Sequence, residues 1–417
     1  MAAAFAVVGL ALAACGSSKA ATAPTTTPST ASTTADTSAA ATTAAATTVA
    51  PASGEPINLM VIATVGKPGG DYPEDFSAAK AAAAAVNKAG GVNGRPINVL
   101  TCNDQLDPNI ATECARTAVS SKAVAIVGNL STFVDAWMPI VAAANIPSVG
   151  NLGVSASEAT GANSFPIAGG TGIVSAANIQ YLIKQGKTKI VVSYPDIPVL
   201  ANVLKGIDAQ VTKLGGTVVS KIPIPISAVD MAPYAAQMKN SGANGGLIIA
   251  ATGSLAQQLT ALYQAGVTSS QIQFAESTLS ISPAQVTKLG PAVEGVALTG
   301  SFIPTNFTDN PGVVQFNKEL DDAGVTDARG DIAVQAWASV HIIANVLKNA
   351  KTVDGAGLIA AMEAAGPIDF APVAPFDWSK PSPAFLPRRV FSTSVVYSTV
   401  KDGKLVTDGK FVDTAAG

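Results

Sequence analysis

The chain has 417 residues, of which 48% are apolar and 13% are charged, and its formal net charge is −3. No basic patch or arginine-rich run is present in the sequence, which argues against nucleic acid as a partner. The single histidine, His341, argues against most acid–base and zinc chemistry. The part that can fold, residues 56–413, is too long for one hydrophobic core and predicts two domains.

The chain begins with an apolar run, Ala2–Ala14, that ends at Cys15. The run is shorter than the about 20 residues needed to span a bilayer, but it fits the apolar core of a secretory signal. The sequence Leu-Ala-Ala-Cys at its end resembles a lipobox, in which the cysteine thiol receives a diacylglycerol and becomes the new N-terminus. We therefore expect residues 1–15 to be a lipoprotein signal, with Cys15 lipidated and the protein anchored to the outer face of the cell membrane. An ordinary signal peptide with a chance cysteine is the alternative, and no Lys or Arg precedes the run.

Residues 16–54 consist almost entirely of Ala, Thr, Ser and Pro, and they include no aromatic residue. Such a composition buries too little apolar surface to offset the conformational entropy of the chain. We predict that this segment is a disordered linker between a lipid anchor and a folded body.

In the first part of the body, predicted strands alternate with predicted helices, and the series begins and ends with a strand. In chain order they are "PINLMVIATVG", "EDFSAAKAAAAAVNKAG", "RPINVLTCND", "NIATECARTAVSS", "AVAIVGN", "FVDAWMPIVAAAN" and "IPSVGN". Asp107 followed by Pro108 predicts the N-cap of the second helix. This alternation is typical of a doubly wound parallel sheet.

A second alternating series follows Gly169 and Gly170 and predicts a second doubly wound lobe. Its segments are "IVSAANIQYLIKQG", "TKIVVSYPD", "VLANVLKGIDAQVTKLG", "GTVVSKIPIP", "MAPYAAQMKNSG", "GGLIIAATG", "LAQQLTALYQAG", "QIQFAES" and "EGVALTGSFIP". Three further helices are expected at "PGVVQFNKELDDAG", "DIAVQAWASVHIIANVLKNA" and "VDGAGLIAAMEAAG". The last segment, "RRVFSTSVVYSTVKDGKLVTDGKFV", predicts two strands joined by a hairpin at Asp402-Gly403.

The stretch "AAAAAVNKAGGVNGRPINVLTCNDQLDP" resembles the start of the leucine/isoleucine/valine-binding proteins, the solute-binding components of ABC importers with the type I periplasmic binding fold. "VAIVGNLST" and "NIPSVGNLG" follow in matching places, and the resemblance covers residues 56–413. It implies an α/β protein with two doubly wound, Rossmann-like lobes joined by three crossovers. The crossovers are expected near residues 169–172, 301–305 and 366–372. Lobe 1 would then comprise 56–169 and 305–366, and lobe 2 would comprise 172–301 and 372–413.

Candidate ligand residues follow the strands, because doubly wound sheets bind ligands outside the carboxyl ends of their strands. Ser131 and Thr132 come after a buried strand and directly before a helix, where hydroxyls and free N–H groups suit a carboxylate. The resemblance implies that this position binds the α-carboxylate of an amino acid, whereas a simple N-cap is the alternative. It also implies that Gly153 and Ser155, in the loop after the next strand, contribute a carbonyl and a hydroxyl group.

In the second lobe, Thr252 and Glu276 stand at the ends of two predicted strands. The resemblance implies that Glu276 pairs with a ligand ammonium group, and a solvated surface glutamate is the alternative. Classical members of the family have a tyrosine at the Thr252 position, so the preferred size of the ligand stays open. Tyr194 and Tyr72 also follow strands, and we expect them to line the cleft.

With Cys15 lipidated, Cys102 and Cys114 remain as an even pair in an oxidising compartment. Cys102 ends a predicted strand, and Cys114 lies about two turns into the helix that packs back on the sheet, so a disulfide is expected. Asp107 is better explained as a helix cap than as a metal ligand. His341 lies in an apolar helix and is predicted to be a packing residue. The sequence therefore predicts no metal site and no cofactor.

These observations predict a lipid-anchored, extracytoplasmic solute-binding protein. It would capture a branched-chain or other apolar amino acid in a cleft between the lobes and deliver it to ABC permease and ATPase subunits. We expect it to be a monomer. The ligand could instead be urea, an amide, or an aromatic or carboxylic acid, and the lobes could serve as a ligand sensor. An enzyme would need a nucleophile–base pair or a metal cluster, and the sequence indicates neither.

Overall fold

The computed structural model describes residues 50–67, 70–153, 155–197, 200–250, 252–382 and 388–415. The predicted signal segment, Cys15 and most of the predicted linker lie outside the described residues. In the described part, no helix combines the length and the apolar character required to cross a membrane.

The first lobe is built on a five-stranded parallel sheet with the strand order β2-β1-β3-β4-β5. Its strands are β1 (Ile57–Ala63), β2 (Ile97–Asn103), β3 (Ala125–Val127), β4 (Ser148–Val149) and β5 (Ser164–Phe165). Its helices are α1 (Pro73–Lys88), α2 (Pro108–Ser120), α3 (Val134–Ala143) and α4 (Ala156–Thr160). The interior strand β1 is almost wholly buried, as expected for a parallel strand covered on both faces.

The second lobe is built on a seven-stranded sheet with the order β14-β13-β10-β9-β8-β6-β7. Its parallel strands are β6 (Lys189–Pro195), β7 (Thr217–Ile224), β8 (Gly245–Ile248), β9 (Gln273–Ser277) and β10 (Ala297–Gly300). The antiparallel strands β13 (Ser394–Lys401) and β14 (Lys404–Asp413) extend one edge. The helices are α5 (Gly170–Lys184), α6 (Ala201–Lys213), α7 (Ala232–Asn240), α8 (Thr252–Gln264) and α9 (Pro283–Leu289). The two lobes and their mainly parallel sheets confirm the predicted fold class.

After β10 the chain returns to the first lobe and forms α10 (Pro311–Asp322), α11 (Asp331–Leu347) and α12 (Gly355–Ala364). Helix α11 packs along α1, whose buried face consists mostly of alanines. Alanine favours a helix and leaves room for the aromatic side chains of the neighbouring core. Trp337 of α11 and Phe316 of α10 meet edge to face in that core, with ring centroids 5.5 Å apart.

The third crossover lies later in the chain than predicted. A short ribbon pairs β11 (Pro367–Ile368) with β12 (Phe376–Asp377), and Phe376 and Trp378 pack in the core of the first lobe. The Trp378 indole Nε1 donates a hydrogen bond to the Pro166 carbonyl oxygen at 2.9 Å. Residues 373–378 therefore belong to the first lobe, although the sequence assignment placed 372–413 in the second. The chain stays on the first lobe after residue 372 because the aromatic side chains of Phe376 and Trp378 are buried in the core of that lobe.

Several local predictions hold in the structure. Asp107 caps α2, since its Oδ1 accepts hydrogen bonds from the N–H groups of Asn109 and Ile110. Cys102 at the end of β2 and Cys114 in α2 form a disulfide with their Cα atoms 5.7 Å apart. Asp402 and Gly403 both have positive φ, as a tight hairpin turn between β13 and β14 requires.

His341 packs between aromatic rings in the first lobe, as predicted. Its ring centroid lies 4.6 Å from that of Trp337 and 5.8 Å from that of Phe370. The sequence did not predict its polar partner, Glu319, whose Oε2 lies 2.7 Å from His341 Nε2. The same oxygen accepts a hydrogen bond from the Trp337 indole, so the cluster is both packed and hydrogen-bonded.

Candidate functional site

A cavity of about 270 Å³ lies between the two lobes. From the first lobe it is lined by the β1–α1 connection and by the start of α11, with Lys67, Gly70, Asp71, Tyr72, Glu74, Ala328, Gly330, Asp331 and Ile332. From the second lobe it is lined by residues after β8 and β9, namely Gly253, Thr278, Leu279, Ser282 and Gln285. Both lobes therefore present the carboxyl ends of parallel strands to one space, where doubly wound folds bind ligands.

Local sequence explains how the first-lobe wall is positioned. Pro73 opens α1, a position that suits proline because its missing N–H would have no helical partner. The backbone N–H of Tyr72 donates to the Thr64 carbonyl oxygen at 3.0 Å, which turns the chain back beside the end of β1. Asp331 is the first residue of α11. The N-termini of α1 and α11 therefore reach the cavity side by side.

Acidic side chains dominate the charge of this wall. Burial, together with the nearby carboxyl groups of Asp327 and Asp71, raises the pKa of Glu74 to about 7. Burial and the charge of Glu74 also raise the pKa of the Tyr72 hydroxyl above its usual value. Because ionised Glu74 lies in a partly desolvated, acidic setting, a cationic group in the cavity would be a favourable partner for it.

Asp331 is the second buried carboxyl group of the wall. Burial raises its pKa to about 7, although a hydrogen bond from Thr278 opposes the shift. The Thr278 hydroxyl donates to Asp331 Oδ2 at 2.5 Å, and this bond joins the second lobe to the first. Lys67 is the cationic side chain among the described residues of the lining, and it is exposed.

The predicted ligand residues lie mostly away from this lining. Tyr72 lines the cavity as predicted, but the described lining includes none of the others. Tyr194 is half-buried near the end of β6, and Thr252 opens α8, with its side chain outside the described structure. The roles predicted for these residues in ligand binding stay predictions.

Ser131 has a hydrogen-bonding role within the first lobe. Its hydroxyl donates to Asp104 Oδ2 at 2.5 Å and accepts from the Phe133 N–H at 3.1 Å. Asp104 is fully buried and also accepts from the Thr64 hydroxyl at 2.6 Å. The single hydroxyl hydrogen of Ser131 is therefore already used in the bond to Asp104. The neighbouring residue Thr132 is exposed to solvent.

Gly153 and Ser155 lie in the loop after β4. Ser155 caps α4, because its Oγ accepts from the Glu158 N–H while Glu158 Oε2 accepts from the Ser155 N–H, both at 3.1 Å. Gly153 has φ +61°, a conformation that glycine adopts without strain. Its N–H donates to Asn151 Oδ1 at 3.3 Å.

Glu276 in β9 is only 4% exposed, so a solvated surface glutamate is the wrong interpretation. Its Oε1 accepts a hydrogen bond from the Ile248 N–H in the neighbouring strand β8 at 2.8 Å. Burial raises the pKa of Glu276 well above its usual value, although the bond from Ile248 opposes the shift. The last paired residues of β8 and β9 are Gly246 and Phe274. Beyond this pair the Glu276 carboxyl group provides the hydrogen-bond acceptor for the Ile248 N–H.

Sequence reasoning missed Glu74, Asp331 and Thr278 as lining residues. A signal was present for Glu74, which follows a strand, a loop and a helix-opening proline. No comparable sequence signal marks Asp331. It opens α11, which comes far later in the chain, after the chain has passed through the second lobe. In the described residues, no group of three or more His, Cys, Asp or Glu side chains is arranged to hold a metal ion.

Comparison with protein families gives a match over most of the chain. The family described as periplasmic binding protein matches residues 56–385. No curated protein matches the sequence.

Many solved structures share the fold. An extracellular ligand-binding receptor from Verminephrobacter eiseniae is 20% identical with a TM-score of 0.71, and the match covers 84% of this chain and 99% of that one. A "possible leucine/isoleucine/valine-binding protein" from Rhodopirellula baltica is 13% identical with a TM-score of 0.71, covering 86% and 97% of the two chains. A solute-binding protein of an ABC transporter from R. palustris, in complex with benzoate, is 22% identical with a TM-score of 0.68, covering 85% and 96%. At these identities the likeness shows the fold.

Proposed function

The chain belongs to the periplasmic binding protein family, and from this premise we propose that it captures a branched-chain or other apolar amino acid in the interlobe cavity for an ABC importer. The family and the structural neighbours are solute-binding proteins, and the neighbours include components of ABC transporters. In the proposed cycle the protein binds its ligand outside the cytoplasm and passes it to permease and ATPase subunits.

The observation that carries the proposed ligand class is the acidic wall of the cavity. Asp71, Glu74 and Asp331 line the space together with a single described cation, Lys67. An ammonium group can form charge-assisted hydrogen bonds with such carboxylates. The ligand carboxylate would then face Lys67, and Tyr72 would offer an aromatic surface to an apolar side chain.

The principal alternative is an aromatic carboxylic acid, since one structural neighbour holds benzoate. A benzoate ion has no cationic group, so it would make the ionisation of Glu74 and Asp331, whose pKa values are already raised to about 7, more costly still. Like charges in a desolvated site repel strongly. The acidic lining therefore favours an amino acid over benzoate. Urea and simple amides, which carry no charge, stay alternatives in the test below.

Titration calorimetry on the purified protein tests this proposal with the twenty amino acids, benzoate, urea and acetamide. We expect an amino acid to bind best, and Glu74→Gln to weaken its binding by at least about tenfold because a charge partner is lost. Glu113→Gln is the matched control, since the Glu113 side chain is 67% exposed on α2. Tight benzoate binding that Glu74→Gln leaves unchanged or strengthens would contradict the proposed ligand class.

We also propose that the protein is held at the membrane by a lipid on Cys15, after removal of the preceding signal segment. The support is the sequence alone: an apolar run that ends at a Leu-Ala-Ala-Cys quartet and is followed by a segment rich in Ala, Thr, Ser and Pro. Cys15→Ala should release the protein into the medium or block its maturation. A mature protein that begins at another residue would rule out this anchor.

A further inference from the structure

Thr278 joins the second lobe to the first through one side-chain hydrogen bond. Its backbone N–H donates to the Thr299 carbonyl oxygen at 3.0 Å, which fixes it at the end of the second sheet. Its hydroxyl donates to Asp331 Oδ2 at 2.5 Å, and Asp331 opens the helix whose body lies in the first core. The bond therefore crosses from one lobe to the other at a wall of the cavity.

Two glycines allow this contact to form. A Cβ atom on Gly300 would lie 2.1 Å from the Thr278 hydroxyl oxygen, so the space that this side chain occupies exists only beside glycine. A Cβ atom on Gly330 would lie 3.2 Å from the Cβ of Ser282, which belongs to the opposite lobe. The backbone before Asp331 thus approaches the second lobe so closely that a side chain at position 330 would press on Ser282.

We propose that the Thr278–Asp331 hydrogen bond is an interlobe latch, which holds the lobes closed before the ligand arrives and so sets the ligand affinity. The inference rests on the proposed solute-binding function. A two-lobe protein binds its ligand with an apparent dissociation constant equal to the intrinsic constant divided by the fraction of closed molecules. Hydrogen bonds to a charged group are among the stronger ones. Loss of the latch should therefore weaken binding about tenfold, and by the same factor for every ligand.

The latch can be tested without knowledge of the ligand. Spin labels at Lys88→Cys, at the end of α1, and Lys213→Cys, at the end of α6, report the distance between the lobes in the full-length protein. Thr278→Val removes the hydroxyl and keeps the shape, whereas Thr278→Ser keeps the hydroxyl. Thr287→Val, at an exposed position of α9, is the matched control.

We expect Thr278→Val to lengthen or broaden the interlobe distance distribution in the ligand-free protein. Thr278→Ser and Thr287→Val should match the wild type. Gly330→Val should also separate the lobes, because its side chain needs space that Ser282 occupies. Thermal unfolding of each variant verifies that it is folded.

A ligand-free distance that Thr278→Val leaves unchanged overturns the latch. So does a change of affinity without a change of distance, because Thr278 would then act only by touching the ligand. If none of the solutes tested in the calorimetry binds, the proposed ligand class fails, while the distance measurement still decides for or against the latch.

Discussion

Replacing Glu276 by Gln and by Leu separates two roles for its buried carboxyl group. In the structure its Oε1 accepts the Ile248 N–H at 2.8 Å inside the second sheet. The sequence resemblance instead assigns it to a ligand ammonium group. Gln has the shape of protonated Glu and keeps an acceptor for Ile248, whereas Leu removes the acceptor.

The hydrogen bond sets the expected magnitudes. Leu would leave a buried backbone N–H without a partner, which costs about 1–3 kcal/mol in the free energy of unfolding. Gln should change that free energy by less than about 1 kcal/mol at low pH, because the raised pKa of Glu276 favours its protonated form and the two side chains then bond alike.

The raised pKa of Glu276 adds a dependence on pH with a definite sign. The native state keeps a proton that the unfolded chain releases above the ordinary value of 4.5. Stability is therefore highest below that value and falls as the pH rises towards the raised pKa. The Gln variant lacks this loss, so its stability relative to the wild type should increase as the pH rises from 4.5 towards the raised pKa.

Urea unfolding at pH 5, 7 and 9, with ligand titration on the same samples, measures both roles. Equal stability of the Leu and Gln variants would refute the structural account of the Ile248 bond. A loss of 2–5 kcal/mol in ligand binding free energy for Glu276→Gln, with stability intact, would instead support the ammonium role, since about that much is lost when a buried charge pair is broken.

The other predictions concern stability and can be measured by urea unfolding. Reduction of the Cys102–Cys114 disulfide, which spans 12 residues, should cost ~3 kcal/mol in the chain-entropy description, and an unchanged midpoint would contradict this. Asp75 is fully buried, and neither carboxyl oxygen has a partner in the described structure, so burial raises its pKa well above the usual 3.8. Stability should therefore fall as the pH rises above that value, and Asp75→Asn should be about 1–3 kcal/mol more stable than the wild type at pH 8 but not at pH 4. Glu319→Leu should lose ~1–3 kcal/mol, because its Oε2 bonds both the Trp337 indole and His341, whereas Lys318→Leu on the exposed side of α10 should lose little.

Features that depend on neighbours in the chain could be predicted from the sequence. The Asp107 cap, the Asp402-Gly403 turn and the disulfide all follow from residues close to one another along the chain. The two-lobe architecture also followed, because the strand and helix periodicities are strong and the resemblance fixed their connection.

Features that depend on distant packing could not be predicted in the same way. The ring of Trp378 meets Phe165 with centroids 5.7 Å apart, and no local pattern predicts that pair. The strand-end position of Glu276 was visible in the sequence, but the direction of its carboxyl group depends on β8. For the same reason the placement of Glu74 and Asp331 on one wall of the cavity became visible only once α11 was placed beside α1.

Both lobes are completed by segments that come late in the chain, and this order affects when the protein can fold during synthesis and export. The first core needs Phe376 and Trp378, and the second sheet needs β13 and β14, which end at Asp413. Neither lobe can close its apolar interior while only its earlier segments have emerged from a ribosome or a translocation channel. During vectorial export the growing chain should therefore stay open until almost its whole length has crossed. Fragments cut at the lobe boundary near Gly169 should then fail to fold as independent domains.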